Sequence, residues 1–346
     1  MTTASLSLMY QEACEAPARL REQQLLLPER LQALLQHLRK KPPRLVMVCA
    51  RGSSDHAGVF LRYLIETQLQ IPTASAIPST FSIYGAQPKL DDVLVVCISQ
   101  SGQSPDLVNY AAMTQRQGAT VVGLINRYED APLAEQCHFV LPLYAGNEVA
   151  VAATKSYLCT LHAALFWIAH WSQNQSLLSD LSVLPDQLVQ AQALDWSAAV
   201  EQLADTEHML VLGRGPGLGI SHEAALKFKE TCALHAESFS AAEVLHGPLA
   251  MIKPQFKILA FDQGDKSGES IRKTLVRLHQ AGASILLASS QSVAHGILLP
   301  VLTGLNPWSS LITQIQTAYL MIEQLCRQRG LNPDAPPHIA KVTKTL

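Results

Sequence analysis

Asp92–Asp106, DVLVVCISQSGQSPD, is the stretch that decides the fold. The apolar run Val93–Cys97 reads as a buried strand, and the chain then turns polar through Ser99, Gln100, Ser101, Gly102, Gln103 and Ser104. Pro105 suits a first helical position, where its missing N–H costs nothing, and Ser104 before it is a good N-cap. A strand therefore ends in hydroxyls that open a helix. Such a junction gathers backbone N–H groups, the positive end of a helix dipole and hydroxyl donors, which suits a phosphate. A polar loop that merely caps the helix is the competing reading.

On either side the same grammar recurs. Arg44–Ala50, RLVMVCA, reads as a strand, Arg51–His56 as a polar turn, and Ala57–Gln68 as a helix. Ile71–Ile77, Thr120–Ile125 and His138–Leu143 supply further strands, and a helix runs to Gln117. Strands separated by helices predict a mostly parallel sheet covered on both faces, with ligands beyond the strands' carboxyl ends. Upstream, Met9–Lys40 has helical spacing, with breaks expected at Pro17 and Pro28. YAGNEVAVAATKSY, 144–157, leads into a long apolar helix ending near Trp171, with Glu148, Thr154 and Lys155 at its start.

The second half repeats the first. LVLGRG, 210–215, matches MVCARG, 47–52, at an offset of 163 residues, and strands at 256–264, 283–288 and 296–302 fall in matched order. The repeat is unequal: FDQGDKSG replaces ISQSGQSPD, so only the first half keeps the hydroxyl cluster. A purely capping role would need serines in both halves. Their confinement to one favours a ligand.

Composition narrows the ligand. The 346 residues carry a formal net charge of −2, with 48% hydrophobic residues, which gives no electrostatic case for nucleic acid or an anionic membrane and points to a small molecule. Seven scattered cysteines read as reduced core residues, and Cys232 with His235 has no second pair nearby to make a metal site. The N-terminus lacks a basic segment followed by a long apolar run, so the expected location is the cytoplasm. Gly213, Gly215, Gly217 and Gly219 fail the GxGxxG spacing, which sets a dehydrogenase aside.

In the second half, Glu223, Lys227 and Glu230 share one face of a helical segment whose neighbours Ala224, Ala225, Leu226 and Phe228 are apolar. A surface ion-pair ladder is one reading, and a buried proton-shuttling carboxylate is the other. His246 precedes a Gly–Pro turn that can expose an imidazole. The proline-rich C-terminus, LNPDAPPHIAKVTKTL, either trails in solvent or folds over the site and brings Lys341 as an amine.

GSSDHA, ISQSGQSPD, AVAATKS, EAALKFKE, HAESFSAAEVLHGPLA and the terminal HIAK, in that order, resemble the sugar isomerase (SIS) family from about Arg44 onward. Within it the isomerase half of glucosamine-6-phosphate synthase and the stand-alone glucosamine-6-phosphate deaminases are the most similar. The resemblance implies two SIS halves, each a mostly parallel, doubly wound, flavodoxin-like α/β sheet. It places N-terminal helices at 1–43, the phosphate-binding half at 44–180, the catalytic half at 195–330 and a covering tail at 331–346. By motif, Ser54, Ser99, Gln100, Ser101 and Ser104, with Ser53 nearby, take the phosphate, while Val151 and Ala153 line the sugar. Glu230 moves a proton between C1 and C2, His246 opens the ring from the neighbouring subunit of a homodimer, and Lys227 and Lys341 assist. No metal or cofactor is implied.

Departures are visible. Ala153 stands where the synthase has serine, Arg51 and Asp55 alter the first turn, and Thr2 rather than a nucleophilic cysteine follows Met1, so a glutaminase domain is not expected. The expected activity is therefore glucosamine-6-phosphate deamination, with a related aldose–ketose isomerase or deglycase as alternative. A sugar-phosphate-sensing regulator is a third reading, disfavoured because it has no need of Glu230, His246 and Lys341 together.

Overall fold

The apolar runs become the strands of two parallel sheets in the computed structural model, which describes residues 6–292 and 294–341. In the first sheet are β1 (Leu45–Cys49), β2 (Thr73–Ser75), β3 (Val93–Ser99), β4 (Thr120–Ile125) and β5 (Phe139–Pro142). Their order is β2-β1-β3-β4-β5, every pairing parallel. The second sheet holds β6 (His208–Gly213), β7 (His235–Ser240), β8 (Lys257–Phe261), β9 (Ser284–Ala288) and β10 (Ile297–Leu299). Its order, β10-β9-β8-β6-β7, is the same sequence of neighbours read from the other edge. The internal repeat is thus a repeat of topology.

Helices cover both sheets because their apolar stripes have only the strands' buried faces to meet. In the first half Leu107, Tyr110 and Ala111 of the Pro105–Arg116 helix pack on Val95, Cys97 and Val121. In the second, Ile271, Leu275 and Leu278 of the Ser267–Gln280 helix pack on Ile258, Ala260 and Ile285. The chain divides into two compact units. One comprises the described parts of Met1–Pro17, Val149–Lys155 and Val183–Ile339, with β6–β10; the other comprises those of Ala18–Glu148, Ser156–Ser182 and Ala340–Leu346, with β1–β5. No helix among the described residues is long and apolar enough to cross a membrane.

Three expectations need correction. Leu8–Lys40 is one helix of 33 residues, unbroken at Pro17 and Pro28. An interior proline costs about 3 kcal/mol. Leu20, Leu27, Leu31 and Leu34 are all at most 1% exposed, and each contributes about 1.5–3 kcal/mol by burial, which outweighs the loss. Arg51–His56 is not a turn ahead of a helix: the helix begins at Gly52, so Ser53 and Ser54 lie in its first turn. Finally, HAESFS forms the strand β7, which the repeat comparison did not contain. As the sheet's edge it buries only Ala236 completely, so it carries no apolar run.

Candidate functional site

β1 and β3 are neighbours whose chain continues in opposite directions across the sheet, to β2 on one side and β4 on the other. The crevice that such a reversal opens at the carboxyl ends is where ligands bind in parallel sheets. Two helices start there. The Gly52–Leu69 helix follows β1, and the Pro105–Arg116 helix follows β3. Each directs its first turn and the positive end of its dipole toward the strand ends.

The loop between β3 and its helix is built by its own hydroxyls. Ser99 Oγ accepts the Gly102 N–H at 2.9 Å, and Ser101 Oγ accepts the Gln103 N–H at 3.3 Å. The backbone is held as well: Ser99 and Gln100 carbonyls accept from the Asn126 and Arg127 N–H groups at 3.1 and 3.0 Å. Gly102 has φ +64, and a Cβ there would lie 2.7 Å from Cβ of Ala131. Ser104 occupies the N-cap position ahead of Pro105 with extended backbone, but its hydroxyl makes no capping bond. The sequence reading is corrected on that point. Gln100, Ser104, Ser53 and Ser54 are half-buried, and Ser99 and Ser101 are buried. A side chain that the motif comparison treated only as a departure also belongs here. Arg51 Nη2 lies 2.9 Å from Asp106 Oδ2, so a guanidinium joins the two turns while its side chain stays 51% exposed.

In the second half the corresponding loop cannot do the same chemistry. Val95 pairs with Met47 and Ile258 with Leu210, so Asp262 stands where Ser99 stands in the first half. The Asp262 carboxylate accepts the Gly264 N–H at 2.9 Å and pairs with Arg272 Nη1 at 2.6 Å. A buried carboxylate engaged by Arg272 occupies the position and has no hydroxyl proton to offer an anion.

Glu148 and Lys341 meet in the unit that carries β1–β5. Lys341 Nζ lies 2.9 Å from Glu148 Oε2, and Glu148 also accepts the Ser156 hydroxyl at 2.7 Å and the Ser156 N–H at 3.1 Å. Burial alone would raise the Glu148 pKa, but the Lys341 ammonium and the two Ser156 donors together hold it below the ordinary carboxylate range.

Val151 and Ala153 lie in a short segment pinned to the first turns of the Leu8–Lys40 helix. Glu12 accepts the Ala150 N–H at 3.2 Å, and Glu15 pairs with the buried Lys155 ammonium at 2.6 Å. In the same unit the Gly217–Cys232 helix is largely buried, which removes the surface-ladder reading. Lys227 Nζ is in contact with Glu230 Oε2 and lies 3.6 Å from Glu223 Oε1, whose carboxylate also accepts the Tyr319 hydroxyl at 3.0 Å. Lys227 and Glu223 are buried, whereas the Glu230 side chain is 22% exposed. That exposure opens on a cavity of about 390 Å³ walled by Thr231 and by the C-terminal residues Leu331, Pro337, His338 and Ile339. His246 ends a single 3-10 turn, Glu243–Leu245, and is exposed ahead of Gly247, whose φ is +132. The arrangement provides a carboxylate able to take and return a proton in a cavity, backed by a buried ammonium.

The spacing of Glu223, Lys227 and Glu230 pointed to this cluster. Glu148 was legible only as a residue at a helix start, and the carboxylates of Glu12 and Glu15 carried no signal at all.

Comparison with known proteins follows the same outline. The SIS domain family matches residues 37–169 and 202–292. Glutamine–fructose-6-phosphate aminotransferase (isomerizing) of Chlorobaculum tepidum is 28% identical over 330 residues, covering 88% of this chain and 51% of its own length. The chain spans about half the length of the curated relatives it matches. A crystal structure from Silicibacter pomeroyi, described as that of a candidate phosphosugar isomerase, is 34% identical with a TM-score of 0.91, covering 95% of this chain and 100% of that one. Glucosamine-6-phosphate deaminase of Thermotoga maritima shares the fold, with a TM-score of 0.72 at 21% identity over 96% of this chain and 100% of that one.

Proposed function

The chain belongs to the SIS domain family, and from that premise we propose that it is an enzyme of phosphorylated amino sugars, a glucosamine-6-phosphate deaminase that needs no cofactor. The observation that carries the reading is Glu230, a partly exposed carboxylate on a buried helix, backed by the Lys227 ammonium and facing a cavity.

The 6-phosphate sits on the loop of Ser99, Gln100, Ser101 and Ser104 and on the first helical turn with Ser53 and Ser54, where N–H groups and hydroxyls match its charge. Val151 and Ala153 flank the sugar. Once the ring is open, Glu230 removes the proton from C2, the electron pair moves toward C1, and O1 takes a proton to give an enolamine. Return of the proton from Glu230 to C1 leaves a C2 imine. Water adds to that imine, the C–N bond breaks, and fructose 6-phosphate and ammonia depart. Lys341 supplies a charge partner for the opened sugar. The exposed His246 serves a second copy of the chain, in a homodimer.

The Silicibacter pomeroyi structure favours a second reading, a plain aldose–ketose isomerase. On a 2-hydroxy sugar phosphate the same proton transfer from C2 to C1 passes through an enediol, and loss of the O2 proton leaves a C2 ketone in place of the imine. The test is ammonia release from glucosamine 6-phosphate by the purified protein. Release is expected, and Glu230→Gln should lower kcat by about 10²–10⁴-fold while leaving substrate binding in place. Proton exchange at C1 or C2 without ammonia would turn the assignment to the isomerase; binding with neither would remove both.

A further inference from the structure

The two turns that frame the proposed phosphate site carry charges that its hydroxyls do not explain. Asp55 stands in the first turn of the Gly52–Leu69 helix and Asp106 in that of the Pro105–Arg116 helix, so each helix start also holds a carboxylate. Such positions suit a carboxylate through the helix dipole, but the same charge opposes a phosphate. Asp106 is the sharper case. Its side chain is 3% exposed, one oxygen accepts the Leu107 N–H at 2.9 Å, and the other has Arg51 Nη2 at 2.9 Å as its counter-charge.

Arg51 reaches Asp106 from the opposite turn. It precedes Gly52 with extended backbone, φ −139 and ψ 153, and its Nη1 donates to the Ala50 carbonyl at 3.1 Å. The guanidinium is therefore held at both terminal nitrogens, yet half of the side chain stays open to solvent. A planar fork that is oriented but not covered is prepared for a second anion. The repeat argues against a purely local role. At the same offset of 163 residues stands Arg214, whose Nη1 turns instead to Ser240 Oγ at 3.2 Å, on the edge strand β7. Both halves have the arginine, and it crosses to the other helix start in the half that keeps the hydroxyls.

We infer that Arg51 is a specificity-determining residue for the phosphate: oriented by Asp106, its guanidinium pairs with the phosphate oxygens and sets a preference for a dianion over a monoanion. The inference deepens the function proposed above and rests on its phosphate site. Without Arg51, the buried Asp106 carboxylate would meet the ligand uncompensated.

Titration calorimetry with fructose 6-phosphate, a dianion above its second pKa of about 6, and with fructose 6-sulfate, a monoanion of similar shape, reads the charge directly. Arg51→Gln should weaken fructose 6-phosphate binding about tenfold or more and fructose 6-sulfate binding less, because the lost attraction scales with ligand charge. On glucosamine 6-phosphate KM should rise with little change in kcat, as expected for a contact made equally in ground and transition states. Arg51→Lys keeps the charge without the fork, so it should retain the dianion preference at lower affinity. An unchanged preference in Arg51→Gln overturns the inference and spares ammonia release; should that variant not fold, loss of the preference in Arg51→Lys does the same. If wild type binds neither ligand, the phosphate site of the proposed function fails and takes the role of Arg51 with it.

Discussion

Glu148 is buried and still ionised at neutral pH, because burial is outweighed by Lys341 and by two donors from Ser156. Its folded-state pKa is depressed, so the stability it contributes is present above the unfolded carboxyl value of about 4.3 and is lost as pH falls through the lower folded value. Glu148→Gln should therefore cost about 1–3 kcal/mol near neutrality, the range for leaving buried polar partners poorly matched. The difference from wild type should shrink toward zero in strong acid, and urea unfolding of both proteins across pH measures it. A constant difference would mean that charge is not the cause. None of this was readable in advance, since Glu148 and Lys341 are 193 residues apart in the chain. Glu230 and Lys227 were readable because they are three apart on one helix, a distance over which spacing implies contact.

Elements followed the sequence where one apolar pattern decided them, and departed where two forces competed. β3 and β4 stand where their apolar runs predict, and both are almost wholly buried. The Leu8–Lys40 helix was misread because a local rule about proline met a buried leucine stripe that overrode it. β7 went unread because an edge strand pairs through its backbone and needs little apolar side chain. The loop after β3 shows which of its parts are structurally demanding. At Gly102 a Cβ would meet Ala131 Cβ at 2.7 Å and the Arg127 carbonyl at 3.0 Å, on a backbone with φ +64. At Gly264, in the second half's loop, φ is +80 but a Cβ would meet nothing within 4 Å. Gly264→Ala should thus cost only the left-handed penalty of about 1–2 kcal/mol. Gly102→Ala should cost about 1–3 kcal/mol more for the clash, and should raise KM for the phosphorylated sugar by displacing the Ser99 and Ser101 hydroxyls. Equal losses in denaturant titrations would show that the contact relaxes freely.

Over the whole molecule the sheet is duplicated but the hydroxyl-bearing loop is not. Both sheets have one strand order, and both loops after the central strand accept a glycine N–H with the side chain at the same register position. That bond preserves the turn in either half. What differs is the charge of the acceptor: Ser99 accepts and can still donate its own proton to an anion, whereas the Asp262 carboxylate only accepts and is already neutralised by Arg272. The unequal repeat made this asymmetry visible in the sequence, although not the salt bridge that completes it. On the proposed function, one phosphate site per chain is expected. Titration with fructose 6-phosphate should give a stoichiometry of one, and Ser99→Asp, which places the second half's carboxylate in the first, should keep the fold by accepting the Gly102 N–H in place of the hydroxyl. Its affinity for the sugar phosphate should fall about 100-fold or more, since like charges within a few ångströms oppose binding by several kcal/mol at the effective dielectric of a protein surface. Calorimetry decides the matter: two sites per wild-type chain, or undiminished binding by a folded Ser99→Asp, would place the phosphate elsewhere.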